Sequence, residues 1–329
     1  MHDVVLLSGD GIGPEISESV TQILEAAGAD INWLPASAGL AALEEQGTPL
    51  PDETVRQIQE VGVALKAPLT TPIGSVNVAL RKSLKLYANL RPCYSLPGVK
   101  TRYENVDLVI VRENSEGLYA GLEHQLTPDV ATSTKVASRA ACTNIARFAF
   151  DYARRVGRQR ISGIHKANIL KLSDGLALEC YREVAKEYSD VEYDEHIIDA
   201  TAMNLVVDPN RFDVILTGNL YGDILSDLCA GLIGGLGLAP GANIGENCAV
   251  FEAVHGSAPD IAGKGIANPS ALLLSAVELL NHIGKADVAV NVKKALLETL
   301  KQGEVRTGDI GGTATTKEFA AAIISKLGN

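Results

Sequence analysis

Two rhythms of apolar residues alternate along the chain. Compact apolar runs at 4–7, 31–34, 61–65, 107–112, 160–165 and 212–216 have the length and composition of buried strands. Between and after them, helix-period spacing predicts helices over 14–27, 52–60, 138–156, 173–187 and 221–232, then over 269–283, 285–301 and 315–326. Pro14 suits a first helical turn, where no backbone donor is needed, and Asp52 suits a cap. This alternation predicts α/β layers around a largely buried sheet. No Pro/Ser-rich linker or charge block divides the chain. Glycine is densest at 231–245, which reads either as a crossing between lobes or as a set of tight turns.

With 329 residues, 46% of them apolar, the chain can bury one large core or two ordinary ones. Its formal net charge of −11 makes nucleic acid and anionic membrane surfaces poor partners. A small anionic substrate therefore needs a locally basic pocket. The five cysteines form no CxxC pair and their number is odd, which suits thiols in a reducing compartment. The first residues open into a strand without a leader pattern, and no apolar run is long enough to span a bilayer. The expected location is the cytoplasm.

Four features carry candidate chemistry. Gly9-Asp10-Gly11-Ile12-Gly13 sits between a strand and a helix, but its spacing is GxGxG rather than GxGxxG, and Pro14 follows at once. A tight strand-to-helix turn is the simpler reading. Asp223 and Asp227 lie four apart on one predicted helix face. Such carboxylates repel unless a cation or water screens them, and hard oxygen ligands suit Mg²⁺ or Mn²⁺. The other reading is favourable placement of acids near a helix start. Lys166 directly follows an apolar run; a lysine there is usually solvated, yet one partly buried beside a metal can serve as a base. Arg81, Arg91 and Arg112 are either ordinary surface charges or forked partners for carboxylates.

Read in order, GDGIGPE, LYANLRP, RENSEGLYAG, HKANI, NLYGDILSDLCAGLIGGLG, HGSAPDIAGKGIANP and GDIGGTATT resemble the isocitrate and isopropylmalate dehydrogenase family over essentially the whole chain. The resemblance implies a two-lobed α/β fold, distinct from the standard Rossmann fold. Residues 1–92 and 236–329 would form a large cofactor-binding lobe. Residues 93–235 would form a small lobe with the dimer interface and metal ligands. It also implies a homodimer with shared active sites. Asp223 and Asp227 would hold Mg²⁺ or Mn²⁺, with Asp199 reaching in from the partner protomer. Arg81, Arg91 and Arg112 would hold substrate carboxylates. Tyr119 and Lys166 would form the proton-transfer pair, the lysine again from the partner. NAD would lie along His255, Gly256, Asp260, Ile261 and Asn268, with Thr70 and Thr71 near the nicotinamide.

Within that family, Ser75-Val76-Asn77-Val78-Ala79-Leu80-Arg81 resembles the SxNxxLR pattern of isocitrate dehydrogenases. A hydroxyl and an amide suit the extra carboxylate of isocitrate, whereas an isopropyl group would leave both unpaired. Only Ile73 and Gly74 separate Pro72 from Ser75, a shorter loop than many isocitrate dehydrogenases carry, so homoisocitrate remains an alternative and 3-isopropylmalate a weaker one. Asp260 and Ile261 stand where NADP-using relatives carry a lysine and a tyrosine, which implies NAD. The alternative from another class is a silent regulatory subunit of a mixed oligomer. Retention of Tyr119, Lys166 and all three aspartates argues against it.

Overall fold

The first part of the chain forms β1 (His2–Leu7), α1 (Gly13–Ala26), β2 (Ile31–Ala36), α2 (Leu40–Gln46), α3 (Asp52–Val61), β3 (Val63–Lys66) and α4 (Val76–Ser83); the apolar spacing predicts all of these except α2 and α4. The middle of the chain forms β4 (Ala88–Tyr94), β5 (Asp107–Glu113), β6 (Gly117–Thr127), β7 (Val130–Val136), α5 (Arg139–Val156), β8 (Arg160–His165), α6 (Ser173–Ala185), β9 (Glu192–Ile197), α7 (Ile198–Val207), β10 (Val214–Thr217) and α8 (Asn219–Leu232). The remainder supplies β11 (Pro240–Ile244), β12 (Ala249–Ala253), α9 (Ser270–His282), α10 (Ala286–Gln302) and α11 (Thr316–Ile324). This computed structural model describes residues 1–70 and 76–328.

The chain divides into two compact units: Met1–Leu84 with Ser95–Glu104 and Ile233–Asn329, and Lys85–Tyr94 with Asn105–Leu232. In the first unit the strand order is β2-β1-β3-β12-β11, parallel except for the final antiparallel pair. In the second it is β4-β5-β10-β8-β9, with only the first pair antiparallel. β3 and β10 are buried at every position, which is why they read as continuous apolar runs rather than as alternating strands. α9 is apolar almost all round and buried along most of its length, as a core helix should be.

Three expectations need adjusting. Asp52 does not cap α3: Pro51 takes the cap position without a side-chain hydrogen bond, and Asp52 lies in the first turn, where its charge suits the helix dipole. The expected lobe boundary after Pro92 falls inside β4, which pairs with β5 from Ala88 to Tyr94 and so goes with the second unit. Residues Ser95–Glu104 go with the first. β6 and β7 form a separate antiparallel ribbon that the apolar spacing does not predict, because most of its side chains face solvent. Among the described residues, no helix is long and apolar enough to cross a membrane.

Candidate active site

The second unit gathers its chemistry at the C-terminal ends of β5, β10, β8 and β9, which run parallel. Loops and helix starts converge at that edge of an α/β sheet. Arg112, in β5, is only 1% exposed. A buried guanidinium requires partners on several nitrogens. Its Nε and Nη2 donate to Asn219 Oδ1 at 2.9 and 2.6 Å, and its Nη1 pairs with Asp223 Oδ1. Tyr119, from β6, donates its hydroxyl to the other oxygen of Asp223, and Arg112 lies 5.1 Å from the centre of that ring. Gly222 makes the arrangement possible: a Cβ there would stand 2.5 Å from Cγ and 2.6 Å from Cβ of Arg112. Helix α8 thus presents its acids to the arginine across a gap only glycine leaves open.

Burial, then the charge of Asp223, raises the pKa of Asp227; Arg91 and Arg112 oppose both. Burial is the larger cause, and the neighbouring carboxylate adds to it. Arg91 is itself buried in β4 and donates through Nε to Asn89 Oδ1 at 2.6 Å. Burial, followed by the hydrogen bond to Asp223, raises the Tyr119 pKa, so the phenol stays a proton donor at neutral pH.

Lys166 and Asp199 form a second pair. Lys166 follows β8 and Asp199 opens α7, directly after β9, and their side chains meet at 2.5 Å. The hydrogen bond from Lys166 holds Asp199 below the usual carboxylate range. Among the described residues, no three His, Cys, Asp or Glu side chains of one chain come together as a metal site. The structure therefore joins Arg112, Tyr119, Asp223 and Asp227 in one cluster, and Lys166 with Asp199 in another.

In the first unit, the glycine turn after β1 packs closely against neighbouring backbone. A Cβ on Gly11, at φ +61°, would lie 2.1 Å from the Ser257 carbonyl oxygen. The Asp10 carboxylate between the glycines accepts backbone N–H groups of Leu40, Ala41 and Thr70. Thr70 Oγ1 and Ser257 Oγ are 2.6 Å apart. One carboxylate thereby fixes the segment that carries Thr70 beside the segment that follows His255. Thr71 and Ser75 lie outside the described residues.

His255 Nδ1 faces the Gly256 carbonyl at 3.0 Å, so Nδ1 carries the proton there and Nε2 is an acceptor. That Nε2 is buried without a hydrogen-bond partner among the described residues. Burial holds the ring below the ordinary imidazole pKa. Asp260 is exposed and Ile261 partly so. Asn268 is buried, donating to Asp309 at 2.9 Å and accepting from the Ser270 backbone at 2.9 Å, so both ends of its amide already brace the loop. Asn77, in α4, has a buried Oδ1 without a partner among the described residues. Arg81 is held by Glu252 at 3.1 Å, and Glu252 also accepts Lys66 at 2.6 Å and Asn243 at 2.7 Å.

Residues 3–323 match the isocitrate/isopropylmalate dehydrogenase family. The chain belongs to that family. Catalytic subunit 5 of the mitochondrial NAD isocitrate dehydrogenase of Arabidopsis thaliana is 51% identical over 98% of this chain and 87% of its own length. One of the regulatory subunits of the corresponding Dictyostelium discoideum enzyme is 50% identical over 99% and 92%. The chloroplastic 3-isopropylmalate dehydrogenase of Solanum tuberosum is 52% identical over 91% and 85%. The crystal structure of isocitrate dehydrogenase from Methylococcus capsulatus superposes with a TM-score of 0.96, at 50% identity, and covers 99% of both chains. The two-lobed isocitrate/isopropylmalate dehydrogenase fold inferred from the motifs is therefore the fold of this protein.

Membership in the family leaves several structurally prominent residues to be found by geometry. Asn219 was legible in principle, because it lies one turn before Asp223 on the same helix face. Asp10 carried a signal too, as an acid fixed between two glycines. Glu252 and Asp174 carried none: their partners come from elements far away in sequence.

Proposed function

We propose that this chain is a metal- and NAD-dependent isocitrate dehydrogenase that oxidises and decarboxylates isocitrate to 2-oxoglutarate. The observation that carries the reading is the Arg112–Asp223–Tyr119 cluster beside Asp227: a buried cation, a proton donor and two acids, all at one sheet edge. Asp223 and Asp227, four residues apart on one face of α8, would hold Mg²⁺ or Mn²⁺ through their hard carboxylate oxygens. A divalent ion held there would supply Lewis-acid chemistry, and NAD would supply a hydride acceptor.

The protein's own groups do the rest. Arg81, Arg91 and Arg112 would supply positive charge for substrate carboxylates. Lys166, directly or through Asp199 and water, would help remove the hydroxyl proton. Tyr119 returns a proton to the carbon that loses carbon dioxide. His255 Nε2 offers a buried acceptor to a cofactor hydroxyl or amine, which fits NAD. Exposed Asp260 would repel the extra phosphate of NADP.

We further propose that the working form is a homodimer in which Lys166 and Asp199 serve the partner's site. Support comes from exposed Met203, Val206 and Val207 on α7, Ile224 on α8 and Leu122, Leu126 and Val130 on the ribbon, an unusual display of large apolar side chains. The separation of the Lys166–Asp199 pair from a complete metal triad within one chain agrees with it.

A substrate panel tests the proposal: isocitrate, homoisocitrate and 3-isopropylmalate with NAD and NADP, with and without Mg²⁺ or Mn²⁺. The expected result is highest kcat/KM for isocitrate with NAD and loss of turnover in excess chelator. Equal or better use of 3-isopropylmalate, the substrate of the Solanum relative, would overturn the substrate assignment. No turnover until a second kind of chain is added would favour a regulatory role, as in the Dictyostelium relative's name.

A further inference from the structure

Asp174 lies in the first turn of α6 and is only 3% exposed. A carboxylate so buried has to be matched by donors, and the donors come from three separate elements. Lys135 of β7 pairs with Oδ1. The backbone N–H of Lys166 donates to Oδ2 at 2.7 Å. The Tyr221 hydroxyl, in the first turn of α8, donates to the same oxygen at 3.2 Å. Lys135 also lies 4.8 Å from the centre of the Tyr221 ring, so the two outer partners hold each other.

The segment after β8 closes on itself around this carboxylate. The Lys166 carbonyl accepts the N–H groups of Ile169 and Leu170 at 3.0 and 2.8 Å, and the Leu170 carbonyl accepts the Asp174 N–H at 3.0 Å. The Lys166 backbone is therefore fixed at both its donor and its acceptor. Its Nζ, at the end of four flexible methylenes, reaches Asp199 from a main chain that cannot drift. A proton-transfer group needs placement within a fraction of an ångström, and a lysine on a loop has that only if its backbone is anchored.

We propose that Asp174 is a positioning residue for Lys166, and that it ties the lysine's segment to β7 and to the start of α8. The inference rests on the reading of Lys166 as a proton-transfer group. Tyr221 stands two residues before Asp223, and β7 pairs with β6, which carries Tyr119. One carboxylate thus sets the frame of the lysine and also braces the elements of the same chain that carry Tyr119 and Asp223, so under the shared-site reading it links the chain's contributions to both active sites. A neutral amide at this position could still accept the Lys166 N–H, but it would leave Lys135 without its anion.

The experiment compares Asp174→Asn with the unmodified enzyme, on isocitrate, NAD and Mg²⁺, with Lys166→Met as the reference. Asp174→Asn is expected to lower kcat about tenfold or more, to leave both KM values within about twofold, and to enlarge the solvent deuterium isotope effect as proton transfer becomes limiting. Unchanged kcat in the folded variant would overturn the proposal. So would a loss of kcat with an unaltered isotope effect, since a purely structural role slows every step alike. Lys166→Met keeps the two ideas apart: if it retains full turnover, the proton-transfer reading fails whatever Asp174→Asn does. If Asp174→Asn does not fold, Tyr221→Phe removes one donor from the same oxygen. A twofold to fivefold loss of kcat with the larger isotope effect then supports the proposal, and unchanged kinetics overturn it.

Discussion

Arg112 is the residue on which the second unit's chemistry turns, and Gly222 is its hidden requirement. In Gly222→Ala the new methyl meets the stem of Arg112 rather than its mobile tip, so the guanidinium must leave Asn219 or Asp223. Overpacking of this kind costs about 1–3 kcal/mol, and a tenfold rate change corresponds to about 1.4 kcal/mol. The expected outcome is a loss of kcat/KM of about tenfold or more with a modest fall in Tm; steady-state kinetics and a thermal melt check it. His255 gives a prediction in pH. Burial lowers its folded-state pKa from 6.5, so below that value the unfolded chain binds a proton that the folded chain refuses. Stability contributed at this position is present above pH 6.5 and is lost as pH falls towards the folded value. Denaturation of the unmodified protein and His255→Gln between pH 7 and pH 5 should show a shallower decline in the variant. An identical decline would show that the imidazole plays no part.

At the scale of elements, α5 offers a clean test of a local signal. Ser138 accepts the Ala141 N–H at 3.2 Å, and its own backbone and hydroxyl groups donate to Glu116 at 2.8 and 2.6 Å. Ser138→Ala should cost about 1 kcal/mol, within the usual range for a lost cap, read as a fall in denaturation midpoint at unchanged m. Elements of this kind were open to reading from sequence. The stripe of α5, the solid runs of β5 and β10 and the C-terminal helices announce themselves because burial on one face, or on both, forces a period. β4, β9, β11 and β12 did not, since polar residues such as Asn89, Arg91, Glu195 and Glu252 interrupt them for reasons set by distant partners. The site divides the same way. The spacing of Asp223 and Asp227 is local and legible. The bond from Arg112 to Asp223 spans 111 positions, and only the folded chain shows it.

For the whole molecule, the separation of Lys166 and Asp199 from Asp223 and Asp227 makes a prediction about shared sites. Mixing Lys166→Ala chains with Asp227→Asn chains should restore activity, because one of the two sites in each mixed pair would draw both lesions and the other none. If protomers demonstrably exchange and no turnover returns, the shared-site arrangement is wrong. The β6–β7 ribbon carries a different consequence. Two strands alone are marginally stable in water, and this pair exposes Leu122, Leu126 and Val130 instead of burying them. In the proposed homodimer the order of the ribbon's outer part would depend on mass action: crowding the protein with copies of itself should act as a ligand does. Limited proteolysis would register this as cleavage at the turn between Thr127 and Val130 that is fast in dilute protein and slows as concentration rises. A rate of nicking that ignores concentration would mean that the ribbon holds its shape unaided.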